Sequence, residues 1–138
     1  MKKFNVAVVG VGLVGKKMVE VLFERNFPLA RIEVFATRER QEIIAGRTFL
    51  VKPADESGFD GIDFAFFAGT EGEKGASQIL GWKAVKKGAI VIDNGGDFRM
   101  HPDVPLVIPE INSHHLKMHK GFIANPNCST IIMLMAVA

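Results

Sequence analysis

Cysteine is almost missing from this chain. Cys128 is the only one in 138 residues, so no internal disulfide can form, and a reducing cytoplasm is the compartment such usage implies. Long apolar runs are missing too. No stretch approaches the roughly 20 residues that span a bilayer. The N-terminus has no apolar segment followed by a small-residue cleavage pattern. Concentrated positive charge is a third absence. The formal net charge is +2, and Lys2-Lys3, Lys16-Lys17 and Lys86-Lys87 are isolated pairs, which is not the footprint of a nucleic-acid binder. The sequence has no internal repeat, low-complexity tract or linker. His115 and His119 are spaced i, i+4, but neither they nor His114 have a third ligand at suitable spacing, so no metal site is expected.

What is present suits one domain with a real core: 48% of residues are hydrophobic and 23% charged. Asn5 to Val9 is a short apolar run ending at a glycine, as a buried parallel strand would be. From Leu13 to Asn26 the period changes. Val14, Met18, Val21 and Leu22 fall on one helical stripe, and Pro28 ends the element. Arg31 to Thr37 reads as a second strand. The stretch from Arg38 to Phe59 is irregular, with a possible strand at Thr48 to Val51. Further strands are expected at 63–68, 89–93, 106–108 and 122–124, a helix over 71–87 and a helical turn over 113–119. Strands alternating with helices imply an α/β, Rossmann-like, doubly wound and mostly parallel sheet with helices on both faces. The last segment, Ile131 to Ala138, is apolar without cap, glycine or charge. A domain rarely stops inside its most hydrophobic helix, so the natural protein is expected to continue beyond Ala138.

Two motifs carry chemistry. Gly10-Val11-Gly12-Leu13-Val14-Gly15 follows a strand and opens a helix, the context in which G-x-G-x-x-G holds a dinucleotide pyrophosphate. The second strand ends Thr37-Arg38-Glu39-Arg40 rather than on a lone acidic residue. Arginine forks suit a 2′-phosphate that a carboxylate would repel, which favours NADP over NAD. The second motif is Asn125-Pro126-Asn127-Cys128-Ser129-Thr130, directly before the final apolar run. It puts the cysteine at a helix N-terminus, where unpaired N–H groups stabilise a thiolate. The alternative is a buried core cysteine. A nicotinamide cofactor with an activated cysteine is the set needed to interconvert an aldehyde and an activated acid through a thioester.

Those landmarks, with Ile92-Asp93-Asn94-Gly95-Gly96-Asp97-Phe98-Arg99-Met100 and Val107-Ile108-Pro109-Glu110-Ile111-Asn112, resemble the N-terminal part of the aspartate-β-semialdehyde dehydrogenase family. The resemblance covers essentially the whole chain. It implies reductive dephosphorylation of L-4-aspartyl phosphate to L-aspartate 4-semialdehyde, in the biosynthesis of lysine, threonine and methionine. By the same resemblance Cys128 is the nucleophile and Asn127 positions substrate and oxyanion. Arg99 binds the phosphate of the substrate or the inorganic phosphate that replaces it. Gly10, Gly12, Leu13, Val14 and Gly15 hold the pyrophosphate, Thr37, Arg38 and Arg40 the 2′-phosphate of NADP, and Gly69, Gly95 and Gly96 lie in loops near the cofactor. The family forms homodimers, and its acid/base histidine and substrate-carboxylate arginine come from a C-terminal domain outside residues 1–138. This chain has a glycine loop one residue shorter than is usual there, and Gly95-Gly96 in place of a hydroxyl pair. Two other readings stay open at this level. One is a non-catalytic nucleotide-binding fragment. The other is an acyl phosphate reductase of the N-acetylglutamyl phosphate type, whose cysteine usually stands in Gly-Cys-Tyr.

Overall fold

Strands that are apolar on both faces must be covered above and below, and the computed structural model, which describes residues 1–138, shows how. The strands are Phe4–Val9 (β1), Leu29–Ala36 (β2), Arg40–Ile44 (β3), Arg47–Pro53 (β4), Phe64–Phe67 (β5), Ile90–Asp93 (β6) and Phe122–Ala124 (β7). They form one sheet in the order β3-β4-β2-β1-β5-β6-β7. Every neighbouring pair is parallel except β3 with β4. The helices are Leu13–Glu24 (α1), Ala76–Lys86 (α2), Pro109–Asn112 (α3) and Cys128–Val137 (α4). None is long and apolar enough to cross a membrane.

Alternation along β1 divides the core. Val6 and Val8 pack with Val19 and Leu22 of α1, while Ala7 and Val9 face Leu80 and Ala84 of α2. The fold is therefore the doubly wound α/β sheet expected. The chain leaves β1 for β2 on one side, and β5 takes up the other side, so the order reverses at β1. In such sheets ligands bind at that reversal, beyond the carboxyl ends of the strands.

Four local expectations need correction. The stretch from Arg38 to Phe59 is more regular than its sequence suggests: β3 and β4 form an antiparallel hairpin closed by Ala45 and Gly46, both with positive φ. A primed two-residue turn usually advertises itself as Asn-Gly or Asp-Gly, and Ala-Gly does not. β3 is also an edge strand, Arg-Gln-Glu-Ile-Ile, with only Ile44 fully buried, so it lacks the apolar run of an inner strand. The stretch at 106–108 contributes one bridge, Leu106 to Ala124, rather than a strand. The helix expected from Glu71 begins only at Ala76, after a loop ending at Gly75. Finally, of the stripe expected on α1 only Leu22 is buried, together with Gly15 and Val19, whereas Val14, Met18 and Val21 line an open groove of about 360 Å³ with Phe66 and Ile92. Gly15 sets that rotation: a Cβ there would collide with the Gly10 carbonyl, so this face of α1 is pressed against the preceding turn.

Candidate active site

The β1–α1 turn needs its first glycine twice over. Gly10 has φ +111°, and a Cβ on it would stand 2.6 Å from the Ala68 carbonyl oxygen and 2.8 Å from Gly69 N. The turn is thus seated directly on the loop after β5, which brings Gly69 beside Gly10. Gly12 is different in kind. It is the N-cap of α1, no side chain caps the helix, the first turn has no acidic residue, and a Cβ on Gly12 would meet nothing within 4 Å. The first-turn N–H groups, including those of Leu13, Val14 and Gly15, are left without a side-chain acceptor beside open space. A helix N-terminus in that condition suits a pyrophosphate. Leu13, 89% exposed, stands at its lip.

At the outer edge of this turn, Thr37 and Arg38 follow β2 and Arg40 opens β3. Arg40 is not free. Its Nε donates to Glu42 Oε1 at 2.7 Å, while Lys16 Nζ, from the first turn of α1, donates to Glu42 Oε2 at 2.8 Å. Hydrogen bonds from Lys16 and then Arg40 hold the Glu42 carboxyl below the usual glutamate range. Neither Lys16 nor Glu42 was flagged by the sequence. Their meeting depends on the hairpin, which no local pattern announced.

On the other side of β1, two loops are clasped by reciprocal bonds from backbone amides to carboxylates. Gly96 N–H donates to Glu71 Oε1 at 3.0 Å, and Gly72 N–H donates to both oxygens of Asp97 at 3.0 and 2.9 Å. Beneath them Asp93, 1% exposed, accepts from Gly95 N–H at 2.9 Å through Oδ1, while its Oδ2 has no hydrogen-bond partner. Burial pushes the Asp93 carboxyl above the usual aspartate range. Asp97 and Glu71 add to the rise, and the Gly95 N–H and Ser77 hydroxyl oppose it. Gly69, Gly95 and Gly96 therefore share one rim.

Arg99 extends from that rim toward the nucleophile. Its Nε donates to the Asn125 carbonyl and its Nη2 to the Asn94 carbonyl, both at 3.0 Å. The two asparagines are themselves joined, Asn125 Nδ2 to Asn94 Oδ1 at 2.8 Å, and Asn125 N–H donates to the Asp93 carbonyl of β6 at 2.8 Å. Arg99 takes part in no salt bridge. Two of its five N–H groups are fixed on neutral acceptors, and those on Nη1 are unengaged, so the guanidinium keeps its charge and a set direction.

Three residues after Asn125 comes Cys128. It is exposed and is the first residue of α4, so the buried-cysteine alternative does not hold. Asn127 caps that helix, its Oδ1 accepting from Ser129 N–H at 2.9 Å and Thr130 N–H at 3.3 Å. Because the oxygen is the capping atom, the Nδ2 group is left as a donor beside Cys128. Beyond this first turn α4 has no buried residue, and Ile132, Met133, Met135 and Val137 are exposed. The histidines are engaged elsewhere: His119 Nδ1 accepts from Gly121 N–H at 2.9 Å, and His115 pairs with Asn112 at 3.1 Å.

Known proteins resemble this chain over most of its length. A family model described as semialdehyde dehydrogenase, NAD binding domain, matches residues 5–119. The chain is 44% identical to the aspartate-semialdehyde dehydrogenase of Aquifex aeolicus, over 97% of its own length and 41% of that protein. It is 41% identical to that of Bacillus subtilis, over 96% of its own length and 39% of that protein. The solved structure of aspartate semialdehyde dehydrogenase II from Vibrio cholerae, complexed with ASA, superposes with a TM-score of 0.88 at 37% identity, covering 99% of this chain and 46% of that one. The chain thus spans about two fifths of the length of the curated relatives it matches. With its glycine turn, clasped rim and capped cysteine in the places described, this chain belongs to the semialdehyde dehydrogenase family, through the part that binds the nicotinamide dinucleotide.

Proposed function

We propose that residues 1–138 form the dinucleotide-binding domain, also bearing the nucleophile, of an NADP-dependent aspartate-semialdehyde dehydrogenase that reductively dephosphorylates L-4-aspartyl phosphate. The observation that carries this reading is the coupling of an oriented Arg99, which takes part in no salt bridge, to the backbone just ahead of the helix-capping Asn127 and the exposed Cys128. The Cys128 thiolate attacks the acyl carbon. A carbon–sulfur bond forms as the bond to the phosphate oxygen breaks, and inorganic phosphate leaves with its electron pair. The free N–H groups of Arg99 take up that phosphate by charge-assisted hydrogen bonds. Charge developing on the acyl oxygen is met by the Cys128 N–H, which the Asn127 cap leaves without an acceptor, and by Asn127 Nδ2. The Gly10 to Gly15 turn would hold a reduced nicotinamide dinucleotide, which would supply hydride to the acyl carbon; the carbon–sulfur bond then breaks, freeing the aldehyde and returning the thiolate to Cys128. The acid/base histidine and the group that binds the substrate carboxylate lie outside this chain in this reading. A homodimer in the cytoplasm belongs to it as well, supported by the family resemblance and the single free thiol.

The test is phosphate-dependent reduction of NADP with aspartate semialdehyde, measured for the 138-residue chain and for a longer gene product containing it. The short chain is expected to be inactive and the longer product active, with activity abolished by Cys128→Ala. Turnover surviving in the Cys128→Ala form would refute the covalent route.

A further inference from the structure

We propose that Glu42 sets which nicotinamide dinucleotide this chain accepts, by occupying from within the Lys16–Arg40 cation pair that would otherwise face a 2′-phosphate. The inference rests on the reading that the Gly10 to Gly15 turn holds such a dinucleotide, and it deepens that reading by naming the residue that decides between its two forms.

Three elements converge here. Lys16 comes from the first turn of α1, directly behind the glycine turn, and Arg40 and Glu42 stand two residues apart on β3. Each oxygen of the carboxylate takes one cation, Lys16 at 2.8 Å and Arg40 at 2.7 Å. The Glu42 side chain is the inner member at 19% exposure, against 40% for Lys16 and 41% for Arg40, so the two cations reach solvent around it. Arg40 is further aimed by Nη1, which donates to the Arg38 carbonyl at 3.4 Å. The cluster lies just past the carboxyl end of β2, where the adenosine ribose of a dinucleotide sits in sheets of this kind.

Charge then decides the outcome. Lys16 and Arg40 bring two positive charges and Glu42 removes one. A phosphate monoester carries about −1.5 to −2 at neutral pH. From this cluster it would meet only one net positive charge, with a carboxylate close by; the neighbouring Arg38 and Glu39 are opposite in sign. The 2′-hydroxyl of NAD carries no charge and is served by a carboxylate acceptor. Glu42 therefore works against the preference that Arg38 and Arg40 favour, narrowing the gap between NADP and NAD. Its place on an exposed edge strand means that replacing it leaves the core untouched.

The experiment is calorimetric titration of the chain with NADP and with NAD, at two salt concentrations, for the parent and for Glu42→Gln and Lys16→Met, with circular dichroism to check folding. Glu42→Gln keeps the shape and one acceptor but removes the charge. It is expected to raise the ratio of NADP to NAD affinity by about tenfold, with a steeper salt dependence for NADP. Lys16→Met is expected to lower that ratio. A ratio unchanged in Glu42→Gln overturns the inference. So does a fall in NADP affinity in that variant, which would make Glu42 only a scaffold for the cations. Failure of every folded form to bind either dinucleotide overturns the glycine-turn reading, and this inference with it.

Discussion

Among the arginines assigned to phosphate groups, Arg99 and Arg40 are held in opposite ways. Arg99 is gripped by two main-chain carbonyls and takes part in no salt bridge, while Arg40 is gripped by a carboxylate that also holds Lys16. A neutral grip fixes direction and leaves the whole charge available, at the cost of depending on the backbone of two loops. An ionic grip fixes direction less tightly and cancels much of the charge it orients. The first arrangement fits a group that must receive a departing phosphate during chemistry. The second fits a group that only has to help choose a cofactor.

The sharpest break in that contrast comes from removing each arginine in turn. Arg99→Ala should weaken inorganic phosphate binding by about 10- to 100-fold and lower stability by about 1–3 kcal/mol, since two part-buried carbonyls lose their donors. Arg40→Ala should leave the melting temperature unchanged and bring NADP affinity down toward that of NAD. Calorimetry and thermal unfolding of both variants check this. Equal loss of stability in the two would erase the distinction.

A smaller effect is expected at the cap. Asn127→Ala should cost about 1 kcal/mol because α4 loses its N-cap. Asn127→Asp retains the capping oxygen but replaces the Nδ2 donor with a charged oxygen beside Cys128. In a longer, active form of the enzyme Asn127→Asp should therefore lower kcat without lowering the melting temperature, which separates positioning of the oxyanion from support of the helix. Parallel losses in both quantities would assign Asn127 to the helix alone.

The smallest effect depends on pH. Folding raises the Asp93 carboxyl above its ordinary value of 3.8. The folded chain then holds a proton over a window in which the unfolded chain has lost it. The stability this contributes is complete below the ordinary value and is lost as pH climbs through the raised one. Asp93→Asn has no such loss. Urea unfolding from about pH 4 to about pH 8 should show the variant gaining on the parent through that window and running parallel above it. Curves parallel throughout would mean that burial does not perturb this carboxyl.

The part of the site that was legible in the sequence is the part built from local pattern. The apolar run Asn5 to Val9 with the glycine turn behind it, and Asn127-Cys128 ahead of a helix, each announce their geometry within a few residues. What was not legible comes from contacts between distant segments. Lys16 meets Glu42 only because the β3–β4 hairpin forms, and that hairpin turns on Ala45-Gly46, a weak turn signal between charged edge residues. The buried face of α1 differs from the apolar stripe because spacing cannot show that Gly15 must lie against the Gly10 carbonyl. The motif singles out Arg99 but not the manner of its holding, because its acceptors are main-chain atoms that every residue possesses.

Arg99 and the segment leading to Cys128 are joined through main-chain oxygen. A grip on peptide oxygens survives any change of side chain at Asn94 or Asn125, but it follows every shift of the peptide itself. Whatever displaces the strand exit leading to the sulfur must swing the guanidinium with it. In the proposed reaction, acceptance of the acyl group and dismissal of its leaving group would in that sense be tied to a single piece of backbone.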